Sequence, residues 1–414
     1  MKTDSYKGVR DFYPEDERIQ RHLFSVMSAT AERFGYEPYN ASILEPTELY
    51  LEKSSEEIIK EQTYTFTDRG ERSVTLRPEM TPTVARMVAG KKRELGFPLR
   101  WYSIPNCFRY EKPQRGRLRE FWQLNVDLFG VEGTTADAEI IELAYSILKG
   151  YGATDDMFVI KVADRNLLET AFDAANMDET QKREYRNLLD KRLKMDPADF
   201  EKEAAKITEN DPVKLIESSD DSVKEAECAV RDLVAILKER GVTNVEFDPG
   251  IVRGFDYYTG MVFEVYDTSG KNQRAMFGGG RYDYLVEEYG TDHTPAVGFG
   301  MGDVTARDFL ETHDLLPTAR ATGDLYLAPV SEADVENAAG AAALLREKGV
   351  NVALGMRHSK MADHLRAASK LAIPYFAAYG ESEREKGTII VKNLETKEEH
   401  SVPLYEVPRI VKHS

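Results

Sequence analysis

The sequence predicts an α+β protein of more than one domain: a β-rich first part with a helical insertion, then a separate small α/β domain. Three observations carry this reading. Strand-like runs at 99–111 and 120–130 flank the basic stretch "KPQRGRLR" and read as the two arms of a hairpin. Residues 165–238 turn polar and rich in Lys, Glu, Asp and Ala, with helical patterning and little strand signal. After "LLPTARATGD" the chain restarts as strand, helix, strand, helix, strand, which marks a domain over about 322–414. A chain of 414 residues also exceeds what one hydrophobic core supports.

The elements follow in order. Ile19, Leu23, Met27, Ala31 and Phe34 recur at helical spacing, so 15–34 is a helix that stops at Gly35. "TPTVARMVA" opens a second helix at 81, with Thr81 as its N-cap and Pro82 at its first turn. The two hairpin arms come next, then a helix over about 136–149 built on Ile140, Ala144 and Ile147. Strands return at 245–266, followed by "AMFGGGRYDYL" and "AVGFGMGDV". In the last domain, "LYLAPV", "VNVALG" and "PYFAAYG" are strands, with helices near 332–347 and 360–371. The predicted organisation is therefore 1–164, an insertion at 165–238, 239–318, and 322–414.

Composition narrows the classes. Two cysteines allow neither a disulfide framework nor a four-cysteine zinc site, and seven histidines show no HExxH spacing. No apolar run approaches the ~20 residues of a membrane helix, and the N-terminus lacks the apolar centre of a signal peptide. The expectation is a cytoplasmic protein. A net charge of −17 argues against a general nucleic-acid binder, so the placement of the cations carries the information.

Those cations cluster. Residues 109–119 hold Arg109, Lys112, Arg115, Arg117 and Arg119 against a single Glu111. On strand arms, Arg115, Arg117 and Arg119 would share one face. Planar guanidinium groups suit bidentate binding of phosphate or carboxylate, so the pattern suggests a phosphate-binding floor. Polar groups also interrupt the strand-like "IVRGFDYYTGMVFEVY" at 251–266, where Arg253, Tyr257 and Tyr258 stand among apolar residues.

With these residues in view, "FRYEKPQRGRLREFWQ" resembles motif 2 of the class II aminoacyl-tRNA synthetases, in its histidyl-tRNA synthetase form. "KGVRDFYP", "TLRPEMTPTVAR", "RGFDYYTGMVFE" and "FGGGRYDYL" are similar to further segments of that family, in the same order. The resemblance spans nearly the whole chain, and its terminal part is similar to an anticodon-binding domain. It implies a class II antiparallel sheet flanked by helices. It also implies activation of L-histidine by ATP to histidyl-adenylate with Mg²⁺, transfer to tRNA(His), and a homodimer. Arg109 and Arg253 would then be catalytic, facing the α-phosphate from two sides. Asp127 and Tyr258 would read the imidazole ring, with Glu79, Thr81, Gln123 and Tyr257 around the substrate. Glu111, Arg117, Arg119 and Arg281 would contact ATP; Arg115, Arg117, Arg357 and Lys360 would contact tRNA.

One departure stands out: Thr305 occupies the place where motif 3 commonly has an arginine, and Arg307 lies two residues on. The alternative expectation is a histidine-binding regulatory paralogue, the ATP phosphoribosyltransferase regulatory subunit type, which commonly lacks the terminal domain and degrades the second arginine motif. A synthetase-like RNA-binding protein without catalysis is a further alternative.

Overall fold

In the computed structural model, residues 3–51, 62–189, 192, 195–218, 220–251, 257–272, 274–318, 321–357 and 360–412 are described. The chain divides into two compact units, Met1–Pro317 and Thr318–Ser414.

The larger unit begins with α1 (Pro14–Arg33), β1 (Glu37–Pro38), β2 (Leu44–Pro46), α2 (Glu48–Leu51), β3 (Tyr64–Thr67), β4 (Ser73–Leu76) and α3 (Thr81–Lys91). It continues through β5 (Leu99–Ser103), β6 (Asn106–Phe108), β7 (Glu120–Phe129), α4 (Thr134–Gly150) and β8 (Phe158–Asp164). The expected insertion consists of α5 (Arg165–Ala174), α6 (Glu179–Leu189), α7 (Pro197–Ile207), α8 (Pro212–Glu217) and α9 (Lys224–Glu239). β9 (Val245–Phe247), β10 (Met261–Asp267), β11 (Phe277–Arg281), β12 (Ala296–Gly302) and α10 (Asp303–Thr312) close the unit.

The main sheet runs β1-β5-β7-β12-β11-β10-β8-β9, with β6 also paired to β7. Its middle pairs, from β5·β7 to β10·β8, are all antiparallel, and the outer pairs β1·β5 and β8·β9 are parallel. A small sheet, β2-β4-β3, was not anticipated; its strands are only three or four residues long.

Strand β7 shows how the sheet sorts its faces. Leu124, Val126 and Leu128 point into the main core with Val297, Phe299, Phe263, Val162 and Ile160, beneath α1 and α4. Gln123, Asn125 and Asp127 alternate with them and share the opposite face. That face becomes the candidate site.

Three expectations about the strands are corrected. The run at 99–111 is two strands, because Ile104 and Pro105 interrupt the ladder. The run at 245–266 is not continuous; β10 starts only at Met261, so Tyr257 and Tyr258 lie on the approach to a strand. The basic hairpin has no strand arms carrying its arginines. Beyond Phe108 it is a loop closed by one isolated bridge, Gln114 to Arg117, and β7 starts at Glu120. Arg115, Arg117 and Arg119 consequently point to different partners.

The smaller unit contains β13 (Leu325–Pro329), α11 (Val335–Glu347), β14 (Val352–Leu354), α12 (Met361–Lys370), β15 (Tyr375–Tyr379), α13 (Glu381–Lys386), β16 (Thr388–Asn393), β17 (Glu399–Pro403) and α14 (Val407–Val411). The three anticipated strands are parallel, and β16 and β17 extend them antiparallel. Among the described residues no helix is long and apolar enough to cross a membrane.

Arg281, expected to contact ATP, holds the larger unit together instead. Its Nε and Nη2 reach Asp137 Oδ1 of α4 at 2.9 and 2.6 Å. Nη1 donates to Asp283 and to the Val131 carbonyl, and Nη2 also to the Gly133 carbonyl. Those five bonds match the five N–H groups of a guanidinium, which leaves none for a phosphate. Removing Asp137 would strand this buried charge. Asp137→Ala is therefore expected to cost about 3–5 kcal/mol, read as a lower urea midpoint for the larger unit. A midpoint unchanged from wild type would mean that Asp283 alone suffices.

Candidate active site

The site lies on the polar face of β7 and is built around Asp127. This carboxylate is buried (3% exposed). The Tyr282 hydroxyl donates to its Oδ1, and the Tyr39 hydroxyl lies 3.5 Å from Oδ2. Burial pushes the Asp127 carboxyl up to about 7, against the opposing pull of those two hydroxyls.

Glycines make room for it. Gly298 faces Asp127 across the β12·β7 pair, and a Cβ there would lie 2.6 Å from Asp127 Oδ1. At Gly300 a Cβ would overlap Gln123 Nε2, at 2.0 Å. On β11, Gly280 sits where a Cβ would come within 3.0 Å of the Tyr258 ring. The "FGGGR" and "VGFG" runs thus admit the protein's own site side chains, a role beyond the turn that glycine usually signals.

Tyr257 and Tyr258 cover this floor. Their rings meet edge to face at 5.1 Å, and both pack on Tyr282, at 5.8 and 6.4 Å. The Tyr257 hydroxyl donates to Glu79 Oε2 at 3.4 Å and accepts from Thr81. Glu79 is buried, 2% exposed. Thr81 is not the expected helix cap: Met80 holds that place, and the Thr81 hydroxyl serves Tyr257. Gln123 Nε2 donates to Asn125 Oδ1 at 2.9 Å. Glu79, Thr81, Gln123, Asp127, Tyr257 and Tyr258 are therefore brought to one region. Tyr39 and Asn125 had escaped notice. The alternation Gln123, Asn125, Asp127 could have signalled Asn125; nothing local signals Tyr39, which follows β1, two strands from β7 in the sheet order. Glu264 shares the row of Asn125, through the pairs Asn125–Gly300, Gly300–Gly278 and Gly278–Glu264. Arg253 lies outside the described residues.

The basic loop splits into different tasks. Arg109 Nε donates to the Pro78 carbonyl at 2.9 Å, and its guanidinium lies over Phe121. Among the described residues neither terminal nitrogen of Arg109 has a hydrogen-bond partner, so its fork is open to a ligand. Arg117 pairs with Glu111 at 3.1 Å, half-exposed. Arg115 binds Asp308 of α10 at 2.8 Å and reaches Thr312. Arg119 donates to the Glu111 carbonyl and the Tyr6 hydroxyl.

The Thr305 hydroxyl donates to the Gly302 carbonyl and carries no charge, and Arg307 pairs with Asp16 and Glu311, so Arg307 does not stand in as a free cation. In the smaller unit Arg357 and Lys360 are both exposed beside the start of α12.

A mainly antiparallel sheet with a basic loop leading into the interior strand β7, a buried carboxylate on its polar face and a second α/β unit in the same chain agree with what the resemblance to the class II aminoacyl-tRNA synthetases implies. A family model described as histidyl-tRNA synthetase matches residues 8–303, and one described as an anticodon binding domain matches 324–414. A histidine–tRNA ligase of Leptospira biflexa is 38% identical over 427 aligned residues, covering 100% of this chain and 98% of the relative. The crystal structure of histidyl-tRNA synthetase from Nostoc sp. superposes with a TM-score of 0.85 at 20% identity, covering 100% of this chain and 99% of that one. A Bacillus halodurans structure described as an ATP phosphoribosyltransferase regulatory subunit/histidyl-tRNA synthetase gives 0.73 at 22% identity, over 91% of this chain and 97% of the other. The chain belongs to the histidyl-tRNA synthetase family.

The raised Asp127 group has a measurable consequence. Folded, it keeps its proton up to about pH 7, whereas an unfolded aspartate loses it near 3.9. Between those values the folded state binds more protons, so this group lowers stability as pH rises from about 4 to about 7. Asp127→Asn keeps an oxygen for Tyr282 and removes the slope. Its stability advantage over wild type should grow across that window and level off above it, followed by thermal unfolding without ligand. Parallel curves would mean that Asp127 stays ionised throughout.

Proposed function

We propose that this protein activates histidine with ATP, releasing pyrophosphate, and passes the histidyl group to the 3′ end of tRNA(His). The observation that carries this reading is Asp127, a carboxylate held at the bottom of a tyrosine-lined floor. A neutral imidazole offers one donor and one acceptor, and a carboxylate with a nearby hydroxyl complements it. Asp127 would accept the ring N–H and Tyr258 would serve the other nitrogen. Glu79, Thr81, Gln123 and Tyr257 would surround the amino group. A ring without matching nitrogens leaves these groups buried and unpaired, which gives strong discrimination.

Arg109, with both terminal nitrogens open among the described residues, would hold the α-phosphate and the attacking carboxylate, with Arg253 on the opposite side. Glu111 and Arg117 would meet the rest of ATP. Charge stabilisation by fixed guanidinium groups is the main protein contribution to such a step. Among the described residues no group of three or more His, Cys, Asp or Glu is placed to hold a metal ion. Mg²⁺ would enter on the ATP phosphates, as that ion commonly does. Arg115 and Arg117 on the loop, and Arg357 and Lys360 on the smaller unit, would meet tRNA. A cytoplasmic homodimer completes the proposal.

The terminal unit favours charging of tRNA over histidine sensing alone, since a sensor has no use for an anticodon-binding domain. The test is histidine-dependent exchange of labelled pyrophosphate into ATP. Arg109→Ala and Arg253→Ala are each expected to slow it roughly 10²–10³-fold, by analogy with loss of one oxyanion donor. Absence of exchange by the wild-type protein would remove the enzymatic reading, and normal exchange by either variant would remove the role given to that arginine.

A further inference from the structure

Residues 6–12 form no helix or strand, yet they are tied to three parts of the larger unit. The Gly8 carbonyl accepts the backbone N–H of Arg119 at 2.7 Å and of Glu120 at 3.4 Å, where the basic loop enters β7. Gly8 has φ +87°, and a Cβ there would lie 2.8 Å from Arg119 Cγ and 2.9 Å from Pro113 Cγ. Only glycine fits both that backbone and that approach. Arg10 Nη2 donates to the buried Asp303 at 2.6 Å, which also accepts the Trp122 N–H at 2.9 Å. The segment thereby joins the loop, β7 and the start of α10.

Tyr6 completes the strap. Its hydroxyl accepts from Arg119 Nη1 at 3.1 Å. The same guanidinium lies 4.0 Å over the Tyr110 ring and 5.7 Å from the Tyr6 ring. Tyr64 packs edge-on to Tyr110 at 5.4 Å. Arg119 Nε reaches across to the Glu111 carbonyl at 3.1 Å. The Arg109 backbone N–H, in turn, donates to the Arg119 carbonyl at 2.9 Å. Arg119 is therefore a crossbar between the two arms of the loop, pinned from outside by Tyr6, and its backbone bonds that of Arg109. Stacking a planar guanidinium on rings while using its edge N–H groups suits arginine and not lysine.

We propose that Tyr6 and Arg119 are positioning residues for the nucleotide: Tyr6 acts through Arg119 to fix the base of the loop, so that Arg109 faces ATP. This rests on the reading above that ATP binds on this face, and it gives Arg119 a task other than direct contact with ATP. Among the described residues the bonds that hold the strap do not reach the ring-binding floor around Asp127, so it should affect ATP more than histidine, of which only the carboxylate would meet Arg109.

The test uses the full chain. In pyrophosphate exchange, Tyr6→Phe removes one hydrogen bond to a charged group and is expected to raise KM for ATP roughly three- to tenfold. KM for histidine should rise less than KM for ATP, and the Tm should stay at the wild-type value. Arg119→Ala should raise KM for ATP further, and Tyr6→Phe combined with Arg119→Ala should be no worse than Arg119→Ala alone, since the hydroxyl then has nothing to hold. Equal rises in both KM values, additive effects, or an unchanged KM for ATP would each overturn the proposal. Deuterium uptake over residues 109–120 gives a readout independent of catalysis: Tyr6→Ala should speed it, and unchanged uptake would also overturn the proposal. A wild-type protein without exchange would defeat the functional reading, while the uptake measurement would still decide the strap.

Discussion

The register of β7 against β12 is the constraint on which the larger unit depends. Residues along a strand alternate between faces, so a slip of one position would turn Asp127 and Gln123 into the apolar core and Val126 and Leu124 out of it. The glycines guard that register. Gly298 and Gly300 sit opposite Asp127 and Asn125, and only a residue without Cβ leaves space for Asp127 and Gln123. A shifted pairing would set Val297 or Phe299 against those side chains. The polar face is thus specified by two strands together.

On this frame the arginines divide by their partners. Arg281 has every N–H satisfied inside the protein and locks α4 to the edge of β11. Arg115 is committed to α10 and Arg119 to the Tyr6 and Glu111 contacts. Among the described residues Arg109 keeps its terminal nitrogens open. Desolvating a guanidinium is costly, so one that is buried needs internal partners, whereas one at a site keeps donors for a ligand. Counting satisfied donors separates arginines committed inside the protein from those open to a ligand, where residue type alone does not.

Much of the architecture was legible beforehand because it depends on local periodicity. The helices at 14–33, 81–91 and 134–150, the helical insertion and the alternating last domain all follow from spacing within a few turns. The candidate residues on β7, at 257–258 and at 79–81, which the structure brings to one region, are legible in the sequence through resemblance. What was misread shares one feature. Strand spacing gives the loop arginines a common face, but the loop is not a strand. Thr81 was given a cap role from its place before Pro82, but Tyr257 lies 176 positions away in sequence and takes its hydroxyl. Arg281 follows a glycine run that suggests a ligand, yet Asp137 from α4 reaches it first.

The amino-acid sequence by itself determined the elements, the face on which each side chain of β7 stands, and the family to which the motifs belong. Those properties arise from backbone geometry and from residues near one another in the chain. The tertiary structure alone decided which cation meets which anion and which hydroxyl serves Asp127. Tyr39, Tyr282 and Asp127 come from distant positions, and their meeting depends on strand order. A guanidinium or carboxylate acquires its role from whatever the fold brings within hydrogen-bond reach, and no local pattern encodes that distance.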